Sequence, residues 1–290
     1  MYLRVNGTEI FFDVEGSGLK EVDGRLMERP TIIALHGGLG FDHSYLRDGL
    51  GRLQDIAQII YVDQRGQGRS GRPPLETATL EQMADDVAAL AQHIGIARPF
   101  IFGHSAGGFV ALHVALRHPE LPAGLILSGS SPSVAPVHED VDDRSPSLAD
   151  RASPEALAAA AKVFSGDITT ETISEFFTKV GPYYAGPQNM ELTSRLMRPM
   201  SLDIDMVRHF MTHLAPGYDL TSQLERIKTA VLLLVGTYDW VCPPRASRAI
   251  ARHIARASLV EFEKSGHFLF SEEPVAFHRV VEDFLQDQRQ

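Results

Sequence analysis

The chain has 290 residues, 44% of them hydrophobic and 22% charged, a balance that suits a globular protein with a sizeable core and excludes a disordered or fibrous chain. Its 27 basic residues against 37 acidic ones leave a net charge of -10, which opposes a phosphate backbone and argues against nucleic acid as a partner. The single cysteine, Cys242, excludes an internal disulfide and a cysteine-rich zinc site, and the opening MYLRVNGTEI lacks the basic flank and apolar run of a secretory signal, so a cytoplasmic location is expected.

Tyr2 to Val5 and Glu9 to Val14 alternate apolar and polar residues about Asn6-Gly7, a pair that supplies the positive φ of a tight hairpin turn. A polar stretch, Gly16 to Arg29, follows. Thr31 to Leu35 is a short buried strand ending in His36-Gly37-Gly38-Leu39-Gly40, and Ala57 to Val62 is another, ending in Asp63-Gln64-Arg65-Gly66-Gln67-Gly68-Arg69-Ser70. Leu80, Met83, Val87, Leu90, Ala91 and Ile94 recur at spacings of three and four after Thr79, which marks an amphipathic helix over 79–94.

Pro99 to Phe102 is a third buried strand, leading through Gly103-His104-Ser105-Ala106-Gly107-Gly108 into a helical run to His118. Its polar residues and glycines make Pro99 to Leu116 a buried element rather than a membrane span. Leu125 to Leu127, Val231 to Val235 and Leu259 to Phe262 add strands, with helices over 244–255 and 274–286. The alternation predicts an α/β fold: a mostly parallel eight-stranded sheet with helices on both faces. It breaks between Pro132 and Ile227, where helical patterns replace strands. The expected organisation is a core of residues 1–132 and 228–290 and an inserted helical cap over 133–227, with an exposed connection over 138–154 rich in Asp, Ser and Pro.

Gly103 to Gly107 has the form G-x-S-x-G, a sharp strand-to-helix turn that exposes a serine. A serine hydroxyl needs a neutral imidazole to take its proton and a carboxylate to fix the imidazole tautomer. Asp239 and His267 each follow a sheet strand, in the chain order that the motif requires, and so lie where open α/β sheets gather ligand groups. Ser105 is therefore the candidate nucleophile, His267 the base and Asp239 its orienting acid. The N–H of Ala106, at a helix start, and that of Gly38, with Gly37 as the alternative, are the candidate oxyanion donors.

HGGLG, DQRGQGRSG, GHSAGG, GTYD and SGH together resemble the α/β-hydrolase superfamily over nearly the whole chain. HGGLGFDHSYL, DQRGQGRS and LILSGSS are most similar to its proline iminopeptidase branch, which usually has proline where this chain has Leu39. The resemblance implies acyl transfer through a covalent acyl-enzyme, without a cofactor, on a small-molecule substrate. Peptidases of that branch hold a free amino terminus with acidic side chains, whereas Trp240 directly follows Asp239 here. Cap acids such as Glu171, Glu175, Glu191, Asp203 and Asp205 could substitute. An ester, lactone or amide hydrolase thus ranks ahead of an aminopeptidase. A ligand receptor on a hydrolase scaffold ranks below both, and carbon–carbon bond hydrolysis stays open.

Gly37, Leu39, Phe41, His104, Trp240, Phe268, Phe176 and Tyr183 are the candidate substrate-binding residues. His104 and His113 read as packed core histidines rather than bases. Most of the cap's methionines (Met190, Met197, Met200, Met206, Met211) read as its own small core, with a minority facing substrate. Asp63 and Arg65 are expected to brace their loop by an ion pair. The scattered histidines suggest no metal site.

Overall fold

Asn6 and Gly7 both sit at positive φ, 45° and 81°, and turn strand β1 (Tyr2–Val5) into β2 (Thr8–Glu15). The computed structural model describes residues 1–135, 143 and 145–288. Asp23 and Gly24, at 51° and 77°, make a second such turn between β3 (Leu19–Val22) and β4 (Arg25–Glu28), a separate two-stranded sheet in the stretch that reads only as polar. Every residue of β4 is exposed, so no alternation of burial marks it in the sequence.

β5 (Thr31–Leu35), β6 (Gln58–Asp63), β7 (Phe100–His104), β8 (Gly124–Ser128), β9 (Val231–Gly236) and β10 (Ala257–Phe262) join the first hairpin in one eight-stranded sheet, ordered β1-β2-β6-β5-β7-β8-β9-β10. Only the β1–β2 and β2–β6 pairs are antiparallel. Helices α1 (Leu80–His93) and α2 (Ala106–Arg117) flank β7 in the chain. The long connection from β8 to β9 holds α3 (Pro154–Phe164), α4 (Thr170–Lys179), α5 (Leu192–Met197) and α6 (Ile204–His209), and α7 (Pro244–His253) and α8 (Pro274–Asp287) follow.

Alternate residues of the central strands feed two different cores, which is why those strands read as continuous apolar runs. Ile33 and Leu35 pack with α1, α2 and α7; Ile32 and Ala34 pack with Phe270 and with Phe277 of α8. The connection from β8 to β9 has a third cluster, including Ala156, Val163, Ile173 and Phe176, which also packs Phe41 and Trp240 against it. Its two ends meet where Ser133 bridges Asp219 and the Leu220 N–H donates to the Pro132 carbonyl. Among the described residues no helix is long and apolar enough to cross a membrane.

Candidate active site

Ser105 lies between β7 and α2 with φ 53° and ψ −124°, a strained conformation for a residue with a side chain. The turn is tight because its neighbours are small. A Cβ at Gly107 would collide with the Leu35 carbonyl oxygen, so only glycine lets α2 start this close to β5. Ala106 opens α2, and its N–H has no intrahelical acceptor.

Asp239 follows β9 and is fully buried. Its Oδ1 accepts the N–H groups of Val241 and Cys242, both at 2.9 Å, which aims Oδ2 at His267 Nδ1, 2.7 Å away. A proton held on Nδ1 leaves Nε2 as the acceptor nitrogen. His267 and Ser105 line the same cavity. Cys242 is buried beside them; burial, then the Asp239 charge, push its thiol pKa well up, so it stays protonated.

The loop after β5 is wired to the backbone of His267. The Gly37 N–H donates to Tyr45 Oη (2.7 Å), the Tyr45 hydroxyl donates to His104 Nδ1 (2.6 Å), and His104 Nε2–H donates to the His267 carbonyl oxygen (2.9 Å). Only a neutral His104 carrying its proton on Nε2 satisfies this chain. Burial, reinforced by His267, holds its pKa well below the ordinary value. Because the Gly37 N–H is already engaged, Gly38, which also lines the cavity, is the better-placed donor in this loop.

The expected Asp63–Arg65 ion pair does not form. The chain turns at Gly66 and Gly68, both at positive φ, and carries Arg69 back over Asp63 (2.6 Å), whose other oxygen takes His43 Nδ1 (2.7 Å). Arg65 instead forks onto Asp86 of α1, both bonds 2.7 Å. The two pairs still brace the loop after β6, and Gln67 from that loop accepts the Gly40 N–H at 2.8 Å.

The cavity encloses about 600 Å³. Gly37, Leu39, Phe41, His104, Phe176, Trp240 and Phe268 all line it, but Tyr183 does not. In the single 3₁₀ turn Gly181–Tyr184 successive side chains diverge by about 120°. Tyr184 therefore faces the cavity, while the Tyr183 hydroxyl turns away to accept the Ser153 N–H (3.1 Å). Three of the five cap methionines, Met197, Met200 and Met211, face the cavity, whereas Met206 is fully buried against the main core. Cys242 also lines it and carries no motif that marks it in the sequence; Tyr45 lines it too, within HGGLGFDHSYL but with no role that the pattern alone assigns.

No carboxylate is among the described residues that line the cavity. Each of the five candidate acids is engaged elsewhere or points to solvent. Glu175 bonds Lys162 and Lys179, Asp203 bonds Arg72, Asp205 bonds Arg208, and Glu171 and Glu191 are exposed. Among the described residues of the wall the Lys or Arg side chain is Arg245, held by Asp143 at 2.8 Å. Among the described residues no three His, Cys, Asp or Glu side chains are grouped to hold a metal ion.

Residues 30–274 match the alpha/beta hydrolase fold family. The chain belongs to that family. It is 27% identical to the proline iminopeptidase PfmaB of Pestalotiopsis fici over 277 residues, 92% of each chain. It is equally 27% identical to the putative carbamate hydrolase RutD of Pseudomonas syringae pv. syringae over 266 residues, 90% of this chain and 95% of the relative. The enol-lactonase of Burkholderia xenovorans superposes with a TM-score of 0.70 at 26% identity, covering 99% of this chain and 100% of that one. The family and these relatives mark this alpha/beta hydrolase as a hydrolytic enzyme.

Proposed function

We propose that this hydrolase cleaves small, largely apolar, uncharged esters or lactones by acyl transfer. Ser105 attacks the carbonyl carbon, His267 takes the hydroxyl proton on Nε2, and Asp239 holds the imidazole and balances the charge it gains. The N–H groups of Gly38 and Ala106 hold the oxyanion, each worth about 2.7 to 4 kcal/mol of barrier lowering. His267 then gives its proton to the leaving oxygen, and water attacks the acyl-enzyme by the same route in reverse. Residues 1–132 and 228–290 are the catalytic core, and residues 133–227 are the cap that closes the apolar chamber over it.

The observation that carries this reading is the buried Asp239–His267 pair opening, with Ser105, onto a cavity whose described wall holds no carboxylate. An aminopeptidase must desolvate its substrate's ammonium group, which costs several kcal/mol unless an acid pairs with it. A neutral acyl group carries no such penalty, and the aromatic and methionine lining suits it.

A panel of short-chain nitrophenyl esters, lactones and aminoacyl nitroanilides, run with wild type and Ser105→Ala, tests both parts. The expected result is ester or lactone turnover that Ser105→Ala abolishes, together with its labelling by a serine-directed phosphonate. Undiminished labelling of the variant overturns the nucleophile; turnover of the anilides alone overturns the substrate class in favour of an aminopeptidase.

A further inference from the structure

His267 lies in the loop after β10, where nothing in the local sequence fixes a side chain. Glu272 supplies the missing constraint. Its Oε1 accepts the N–H groups of Gly266 (2.9 Å) and Phe268 (3.2 Å), the residues on either side of His267. Its Oε2 accepts the N–H of Gly186, in the cap, at 2.7 Å.

The cap segment that this carboxylate grips touches the base directly. The His267 N–H donates to the Tyr184 carbonyl oxygen (2.6 Å), and a Cβ at Gly266 would collide with that oxygen. Arg151 fastens the same segment to the turn before the acid, donating to the carbonyls of Tyr183 (3.1 Å), Ala185 (2.7 Å) and Tyr238 (3.0 Å). Acid turn, base loop and residues 183–186 of the cap are thus one bonded unit.

We propose that Glu272 is a positioning residue, its carboxylate locking the His267 loop to cap segment 183–186 so that the base keeps its place only while that segment is docked. The proposal rests on the reading of His267 as the base. Three backbone N–H donors and the Asn189 side chain converge on the Glu272 carboxylate, and only a carboxylate accepts on both sides. An amide of the same shape would set its own N–H against one of the three, releasing either the loop or the cap.

The test compares wild type with Glu272→Gln, Glu272→Asp and His267→Ala, reading melting temperature, phosphonate labelling rate, and kcat and KM on a short-chain nitrophenyl ester. Glu272→Gln should melt within a few degrees of wild type while labelling rate and kcat fall together by about 100-fold, the effect of a misplacement of about 1 Å. KM should change less than kcat, since besides His267 itself only Tyr184 and Phe268 of the cavity wall adjoin the bonds that Glu272 makes. Glu272→Asp keeps the charge but reaches less far, and should lose about 10-fold. A folded Glu272→Gln with wild-type kcat, or with only a raised KM, overturns the proposal; should that variant not fold, Glu272→Asp decides by the same criterion. If His267→Ala keeps its kcat, the base reading itself falls, a different failure from an inactive His267→Ala beside a fully active Glu272→Gln.

Discussion

Ser105 and His267 face one cavity but are held there by different means. The serine takes its place mainly from residues next to it in the chain, namely β7, the turn and the start of α2, with its backbone also bonded to Ser128 at the end of the neighbouring strand and to Ser130 just beyond it. The histidine takes its place from afar. Its ring bonds an acid 28 residues away, and its backbone bonds His104, 163 residues away, and Tyr184 in the inserted helices. Ser105, the proposed nucleophile, is set as soon as the sheet forms, whereas His267, the proposed base, is held by several segments and is in place only when all of them have docked.

Breaking the local half should have the largest effect. Gly107→Val would drive two methyl-bearing branches at the Leu35 carbonyl across the junction of β5 and α2. The expected outcome is loss of folded protein, read as soluble yield and circular dichroism, because backbone cannot yield as a flexible side chain does. Breaking the distant half should spare the fold and remove the chemistry. Asp239→Asn keeps the shape but no longer fixes the His267 tautomer, and kcat on an ester should fall by about 10,000-fold with little change in melting temperature.

A milder change sharpens the contrast, because it touches the link between the halves. Tyr45→Phe removes the hydroxyl that joins Gly37 to His104, leaving a buried N–H and a buried ring nitrogen unpaired. The expected cost is about 1 to 3 kcal/mol in stability, from denaturant titration, with roughly a tenfold fall in kcat as the oxyanion loop and base loosen together. An unchanged kcat in a destabilised variant would mean that Tyr45 holds the fold and not the site.

The same contrast explains what could be read from the sequence. The elbow, the HGG loop and the strand rhythm are local patterns, and the eight sheet strands lie within two residues of their expected ends. Asp239 and His267 are legible by their place after strands, and their pairing by the need of a serine hydroxyl for an imidazole held by a carboxylate; the two side chains lie 2.7 Å apart. Tyr45 and Glu272 stay hidden, because each acts through backbone groups that adjoin it only after folding. Asp23-Gly24 carries the same turn signal as Asn6-Gly7, but its flanking strands lie on the surface and bury no alternating face. The sequence does not separate Tyr183 from Tyr184, because nothing in adjacent identical residues tells which one a 3₁₀ turn points inward.

The smallest effect separates stability from activity at Glu272. Burial raises its pKa from 4.5 to about 7, so between those values the folded protein binds a proton that the unfolded chain has released. The Glu272 contribution to stability therefore falls as pH rises from about 4.5 to about 7, and is flat above. His36, His104 and His113, whose pKa values burial lowers, act with the opposite sign below 6.5, and Asp63, held well below 3.8, titrates outside this window. Those groups are common to wild type and Glu272→Gln, so the difference between the two melting curves isolates Glu272. The Gln variant should gain on wild type with rising pH by an amount on the order of 1 kcal/mol, given the partial exposure of Glu272, or about 2 °C. Over the same rise wild-type activity should increase as Glu272 loses its proton, so the enzyme would work best where this carboxylate stabilises its fold least. A melting difference that does not vary with pH would mean that Glu272 stays ionised throughout, and the opposition between stability and activity would disappear.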